Sequence, residues 1–425
     1  MTRATHSNSY YAATARPWET SPSVAGDLEC DVCVVGGGIT GCSTALHLAE
    51  RGYDVVLVEG NSIGWGASGR SGAQVIFGFA RDIDRIARLV GAEDARRLWT
   101  LALEGVQLVK TLVAKHGIAC DWRAGQIHVA IKERQRVELR AYQRLLAKTY
   151  HYPLDLVEGD ALHALLHSAR YIAGLYDSQS GHLHPLNYTL GLATAARRAG
   201  VRVFENSRVE RYTSSPTPMV MTAKGRITAR QVVFAGNAYL ANLVPSLARK
   251  IMPVGTYIVA TEPLGEAHAK LLISNDMAVT DINYVLDYFR LSSDHRLLFG
   301  GRVSYTAHTP RDLITTMRER MTRVFPQLNT TQIDYAWGGL VDISFNRLPH
   351  FGRLTRDIYF AQGFSGHGMA LTGLAGKLIA EAVAGTAERF DVFARIPQRD
   401  FPGGALFRIP ALLLGTAYYR LRDLL

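Results

Sequence analysis

Apolar positions along the chain fall into runs and rhythms that predict alternating strands and helices. Val32 to Val35 and Val55-Val56-Leu57-Val58 are unbroken apolar stretches too short for helices, the pattern of strands covered on both faces. Between them Ser43 to Arg51 is rich in Ala and Leu, so the opening unit reads strand–helix–strand. From Gly91 to His116, residues Leu98, Leu101, Val109, Leu112 and Val113 recur at helical spacing and predict a long amphipathic helix. A strand over Gln126 to Ile131 and a helix over Glu133 to Lys148 follow. A helix from Asn187 to Gly200, then strands Val201 to Phe204 and Gln231 to Ala235 around a hairpin-like segment, would return the chain to the first parallel sheet. Gly255 to Arg302 alternates strands rich in Tyr, Val and Leu, which predicts a mostly antiparallel sheet. Thr309-Pro310 opens a helix with an N-cap and a first-turn proline, and that helix stops before Pro326. The strand Ile358 to Ala361 then leads through a glycine-rich turn into a helix ending near Ala384. The pattern is α/β: a Rossmann-like βαβ domain beside an α+β domain with a mostly antiparallel sheet.

Composition narrows this only modestly. With 425 residues, 48% of them hydrophobic, the chain can bury a large core and is expected to form two domains. Met1 to Trp18 lacks the apolar stretch of a signal peptide and reads as an arm that docks on the body or stays mobile. Of the four cysteines, Cys30 and Cys33 have redox-motif spacing, but in a strand i and i+3 point to opposite faces. With Cys42 and Cys120 they read as small buried hydrophobes; neither a disulfide scaffold nor a metal site is expected, and a reducing cytoplasm is. The net charge of +10 is spread among acids, as in Arg81-Asp82-Ile83-Asp84-Arg85, so no nucleic-acid partner is expected. Ile409 to Tyr419 is uncharged but too short to span a bilayer, and a buried terminal helix is expected there rather than a transmembrane segment.

The candidate chemistry starts where the first strand meets its helix. Gly36, Gly38 and Gly41 sit at G-x-G-x-x-G spacing: the first for a tight turn, the second for close approach of a pyrophosphate, the third for helix–strand packing. Ile39 and Thr40 open the helix, whose free N–H groups and partial positive charge suit phosphates. Glu59 ends the next strand, where a carboxylate can accept both ribose hydroxyls and favours FAD or NAD over a 2′-phosphorylated cofactor.

Two further glycine-rich stretches tip the choice to FAD, whose wide planar ring needs main chain lying close along it. One holds Ala67, Ser68, Gly69, Arg70, Ser71, Gly72 and Gln74; the other holds Gly363, Ser365, Gly366, His367, Gly368 and Met369. The helix after Met369 would aim its positive end at the ring. Ala235, Gly236 and Asn237, ending a strand beside the first glycine turn, and Val209 in the hairpin segment join the expected cofactor contacts. No second nucleotide-binding unit is visible, so the flavin would be reduced directly by an organic substrate.

The side chains leave alternatives. Arg70 could reach the pyrophosphate or flavin edge, or be a solvated loop arginine. His367 could touch ring or substrate, or hydrogen-bond within its own loop. Tyr284, Tyr288 and Arg290 would share one strand face, as a roof over the flavin and substrate or as sheet packing. Trp337 is a ring neighbour or a core residue.

These segments resemble the glycine oxidase/D-amino-acid oxidase group of FAD-dependent oxidoreductases. The narrower likeness is to the bacterial γ-glutamylputrescine oxidoreductases, carried by Ser9-Tyr10-Tyr11-Ala12-Ala13, Leu286-Asp287-Tyr288-Phe289-Arg290-Leu291 and Ala417 to Asp423. Gly181-His182-Leu183-His184-Pro185 and Phe364-Ser365-Gly366-His367-Gly368 fit the same group. The resemblance implies an N-terminal arm over 1–26, an FAD domain from 27–90, 157–243 and 337–425, and a substrate domain from 91–156 and 244–336. It implies a cytoplasmic amine oxidase in which a CH–NH2 carbon gives hydride to flavin N5, the imine hydrolyses, and O2 reoxidises the flavin. The substrate would be γ-glutamylputrescine or a related small-molecule amine. Cysteine is absent from 337–347 and histidine from 64–74, where relatives attach FAD covalently, so non-covalent FAD is expected. A quinone-linked amine or amino-acid dehydrogenase of the same fold is the alternative; a tRNA-acting flavoprotein has only the positive charge behind it. Oligomeric state is not indicated.

Overall fold

Two sheets organise the chain, here described from a computed structural model over residues 6–304, 310 and 312–402. The first runs His350–Thr355, Ile358–Gln362, Gly225–Phe234, Gly26–Val35, Val55–Val58, Arg202–Phe204. Its neighbours pair in parallel except at the His350–Thr355 edge. The apolar runs that define its central strands have both faces covered, as a parallel sheet requires. On one face lie the helices Ile39–Ala49 and Gly368–Val383, packed closely enough that Ser43 Oγ donates to the Gly373 carbonyl at 2.7 Å. A Cβ on Gly376 would lie 2.6 Å from the Thr44 nitrogen, so the small residue sets the approach. On the other face lies the hairpin Val209–Thr213/Met219–Thr222, which joins Gly225–Phe234.

The second sheet is mostly antiparallel, in the order Ile333–Ser344, Ile251–Thr261, Leu297–Ser304, Tyr288–Leu291, Ala278–Asp281, Arg123–Ala130, Ala173–His182, Gln74–Val75. Only Ala278–Asp281 and Arg123–Ala130 run parallel among these neighbours. Fold class and strand character therefore follow the sequence, but the sheets do not follow the expected segment boundaries. Gln74–Val75 and Ala173–His182, expected with the first sheet, hydrogen-bond into the second, and so does all of Ile333–Ser344. Helix Ala92–His116, expected with the substrate domain, packs instead on Gly368–Val383, where a Cβ on Gly105 would sit 3.2 Å from the Ala370 oxygen. Apolar pattern specifies that a strand exists, whereas its partner is chosen by chain-distant register. The helix placed at Thr309-Pro310 is Leu313–Val324 with Asp312 at its N-cap; Thr309 and Ile409 to Tyr419 lie outside the described residues.

The N-terminal arm docks. Ser9 Oγ caps a helical turn, Tyr10–Ala13, that buries both tyrosines. Beyond it the Arg16 N–H donates to Asn187 Oδ1 at 2.7 Å, and Trp18 Nε1–H donates to Glu205 at 3.1 Å beneath the Arg197 guanidinium. Among the described residues no helix is long and apolar enough to cross a membrane, and no cluster of His, Cys, Asp and Glu could hold a metal ion.

Candidate active site

Where the first sheet's strands end, facing the second sheet, lies a cavity of about 2330 Å³. That is more than twice the ~300–1,000 Å³ of an ordinary small-molecule pocket, room for a dinucleotide together with a substrate.

Its inner end is the first glycine turn. Gly36 holds φ +116°, and a Cβ there would meet the Ala235 carbonyl at 2.8 Å. Gly41 is the packing glycine: its Cβ would fall 1.8 Å from the Gly36 oxygen. Ser68 Oγ accepts the Ile39 N–H at 3.0 Å, which joins the second glycine loop to the start of the helix. Gly36, Gly38, Ile39, Thr40 and Glu59 all line the cavity here. The Glu59 carboxylate accepts the N–H groups of Gly37 and Asn61 at 2.7 and 2.8 Å; burial pushes its carboxyl above the usual range while those donors oppose the rise.

From the second loop Ala67, Ser68, Ser71, Gly72 and Gln74 reach the cavity, as do Val209, Ala235, Gly236 and Asn237. Gly69 and Gly41 shape the wall from behind it. A Cβ on Gly69 would lie 2.1 Å from the Gly64 oxygen. Arg70 turns away: Nε donates to the Trp65 carbonyl at 2.7 Å, and the guanidinium lies over the Trp65 ring. Its partners are main-chain acceptors of its own loop and of Gly338, so the expected reach to phosphate or flavin is corrected. Trp337 likewise lies outside the lining: buried, it donates Nε1–H to the Arg70 carbonyl at 3.0 Å and packs edge-on against Tyr11. It braces the loop rather than adjoining the cavity.

The roof is altered more. The strand begins at Tyr288, and Tyr284 stands in a turn before it, at the cavity rim. Asp281 makes that turn, accepting the N–H groups of Asn283 and Asp287 at 3.0 and 3.1 Å. Tyr288 does line the cavity, its ring held between Gly72 and Gly300, where Cβ atoms would come within 2.5 and 2.2 Å. Arg290 faces away from the cavity, donating to the Leu183 carbonyl at 3.0 Å and Tyr11 Oη at 3.1 Å. It is an anchor for the arm, because a buried guanidinium goes where acceptors are. Asp287 pairs with Arg320 at 2.7 Å, as a structural charge.

The third loop supplies Ser365, Gly366, His367, Gly368 and Met369 to the lining; Gly363, at φ +77°, sets the turn behind them. His367 is the N-cap of Gly368–Val383 and lies 2.9 Å from the Phe77 carbonyl through Nε2. A carbonyl only accepts, so the proton is on Nε2 and Nδ1 keeps a lone pair. Burial pulls this imidazole below its usual range. His128, on the second sheet, shares the cavity and is pulled down to about 4 by burial and by His367.

A family model described as FAD dependent oxidoreductase (DAO) matches residues 31–382. The γ-glutamylputrescine oxidoreductase of Escherichia coli K12 is 44% identical over 98% of this chain and 98% of its own. A probable oxidoreductase of Haemophilus influenzae is 42% identical over 98% and 97%. Glycine oxidase from Bacillus cereus superposes with a TM-score of 0.71 at 23% identity, covering 87% of this chain and 99% of that one, a likeness of fold. The chain belongs to the FAD dependent oxidoreductase family.

FAD is accordingly its cofactor, and the cavity passes the test of fit. Side chains are excluded along the glycine turn, a helix N-terminus opens onto each end, and Asn237 Oδ1 is buried without a partner among the described residues, an acceptor for a ligand hydroxyl or N–H. Two residues of this oxidoreductase escaped the sequence reading. Asp342, buried in the cavity wall, takes the Gly363 N–H on its carboxylate and the Ser365 N–H on its carbonyl at 2.9 Å, and so shapes the third loop. Burial pushes its carboxyl up to about 6. Its signal was a lone acid between Val341 and Ile343. Glu205, fully buried, accepts the Ile63 and Ser21 N–H groups at 2.7 and 2.6 Å and fixes the entry to the second loop.

Proposed function

We propose that this FAD-dependent oxidoreductase oxidises a primary amine, γ-glutamylputrescine or a close relative, with O2 as the electron acceptor. The observation that carries the reading is the 44% identity to the Escherichia coli γ-glutamylputrescine oxidoreductase along 98% of both chains. When bound, FAD supplies the acceptor for the hydride that leaves the substrate's CH–NH2 carbon. Water then converts the imine to aldehyde and ammonia, and O2 leaves as hydrogen peroxide, so amine, water and O2 are consumed together.

The chain's own part is positioning and the exclusion of water. Gly36, Gly38 and the Ile39–Ala49 N-terminus hold the pyrophosphate, and Glu59 takes the ribose hydroxyls. The Gly368–Val383 N-terminus offers partial positive charge to the reduced ring. Tyr288 and Phe77 wall the reacting end with aromatic surface, which disfavours the charged form of an amine bound there. His367 accepts an amine N–H on its Nδ1 lone pair, a role open only to a neutral imidazole. FAD is held without a covalent link.

Anaerobic mixing with γ-glutamylputrescine should bleach the flavin band of the holoenzyme, faster than putrescine, glycine or sarcosine does. Under air, one peroxide should appear per aldehyde. Bleaching without peroxide would replace O2 by another acceptor; no bleaching by any amine would overturn the reading.

A further inference from the structure

The end of such a substrate that does not react carries an α-amino-acid head, about nine bonds from the reacting carbon, roughly 11 Å when extended. Groups beside the flavin cannot read it, so recognition falls to the cavity mouth. Among the described residues six arginines line the cavity: Arg81, Arg85, Arg88, Arg134, Arg208 and Arg347. Three are already matched by acids, Arg85 with Asp82 at 3.6 Å, Arg88 with Asp84 at 2.5 Å and Arg134 with Glu138 at 3.9 Å. Arg208 sits at the opposite end, against Gly60 and beyond the Glu59 strand.

Arg81 and Arg347 are different. Neither makes an ion pair with a carboxylate among the described residues. Arg81 gives Nη1 to the Asn346 carbonyl at 3.1 Å, which brings it against the chain beside Arg347, and its buried Nε has no partner among the described residues. Arg347 is centred 4.4 Å over the Tyr284 ring. A guanidinium stacked on an aromatic face leaves its N–H edge directed sideways, the edge that takes a carboxylate in a bidentate pair.

The turn that presents Arg347 is unusually well tied. Arg347 holds φ +63° and donates its N–H to the Ser344 carbonyl at 3.1 Å. Asn346 Oδ1 accepts the Leu348 N–H at 2.9 Å, and its Nδ2 donates to the Pro397 carbonyl at 2.7 Å. Ser344 N–H in turn donates to Ser365 Oγ at 3.1 Å, so the third glycine loop and the Arg347 turn are one piece. A left-handed arginine is disfavoured on its own, and these bonds hold it there.

We infer that Arg347, with Arg81 beside it, forms a carboxylate-recognition site at the cavity mouth that selects amines bearing an acidic amino-acid head. This rests on the amine-oxidase reading above and names what reads the far end of that substrate.

Two measurements test it on the holoenzyme. γ-Glutamylbutylamide keeps the acid head and lacks the oxidisable amine; by titration calorimetry Arg347→Met should bind it at least tenfold more weakly than the unaltered protein. In steady-state assays the same variant, and Arg81→Met to a smaller extent, should raise KM for γ-glutamylputrescine at least tenfold. N-Acetylputrescine, which has the amide but no acid head, should change less than threefold, and Arg347→Lys should recover only part of the loss. Flavin absorbance verifies folding, and Arg347→Gln replaces the Met variant if that loses its flavin. Equal binding of the butylamide by both proteins, or equal loss on both amines, overturns the site while leaving the oxidase reading intact. If the unaltered protein oxidises neither amine yet binds the butylamide through Arg347, the oxidase reading falls and the acid-head site stands.

Discussion

A methyl group on Gly41 would lie 1.8 Å from the Gly36 carbonyl oxygen, closer than any rotation can relieve, because both atoms belong to the turn that faces the cofactor. Forcing it in costs about 3 kcal/mol or more, through displacement of backbone rather than of a flexible side chain. Gly41→Ala should therefore purify with little FAD and bind added FAD at least a hundredfold more weakly by fluorescence titration; a yellow protein of normal stoichiometry would show that the turn relaxes freely. Residues of this kind were legible in the sequence because their role is local sterics, set by neighbours within a few positions. Glu59 was legible for a related reason, its distance along one strand–helix–strand unit. Arg70, Arg290 and Trp337 were not, since a buried guanidinium or indole is placed by whichever carbonyl it reaches, and those of Gly338, Leu183 and Arg70 become neighbours only on folding.

Among elements, the arm shows how a segment with little apolar pattern can be part of the core. Tyr11 is fully buried, packs edge-on against Trp337 and His184, and accepts Arg290 Nη2 on its hydroxyl. Trp337 in turn bonds the Arg70 carbonyl of the second glycine loop, so the arm supports the FAD site from behind. Tyr11→Ala should cost about 4 kcal/mol, the range for emptying an aromatic site, with one Arg290 N–H left without its acceptor adding to it while the same nitrogen keeps the Leu183 carbonyl. The thermal midpoint should fall clearly and FAD affinity with it; a lower midpoint with unchanged FAD affinity would separate the arm from the loop. The same scale explains the roof. Alternation placed Tyr284 and Tyr288 on one strand, yet Asp281 and Asn283 lie just upstream, and Asp281 closes the chain into a turn by accepting N–H groups two and six residues on. That turn signal was in the sequence and outweighed the alternation. Sheet membership was less accessible: Gln74–Val75 and Ala173–His182 looked like strands but carried no mark of which sheet they would join.

Across the whole molecule, burial gives the fold a dependence on pH whose sign can be worked out. His47, His128, His184 and His350 are each pulled to about 4 by burial, against an ordinary 6.5 in the unfolded chain. A depressed histidine stabilises the fold fully above 6.5, and that contribution is lost as pH falls toward 4, where the unfolded chain binds protons the fold refuses. Raised acids act in the opposite sense: Asp342, near 6 instead of 3.8, and Asp281, also raised, contribute stability at low pH that is lost as pH rises through their folded values. Lowered histidines, His182 and His367 among them, outnumber raised acids, Glu59, Asp82 and Asp287 among them, so stability at saturating FAD should fall as pH drops from 6.5 to 4.5. His184 is the clearest single reporter. It caps the Pro185–Arg198 helix with Nδ1 accepting the Asn187 N–H at 3.1 Å, leaving Nε2 to donate to Thr14 of the arm at 3.1 Å. Protonation would remove that acceptor and set a cation at a helix N-terminus. His184→Gln keeps an acceptor without the titration and should lessen the acid slope of urea-unfolding free energy by about 1.4 kcal/mol per unit, whereas Asp342→Asn removes an opposing group and should steepen it by a similar amount. Slopes that both variants move in the same direction would mean that the buried imidazoles do not govern the acid limb, and that the salt bridges at the surface do.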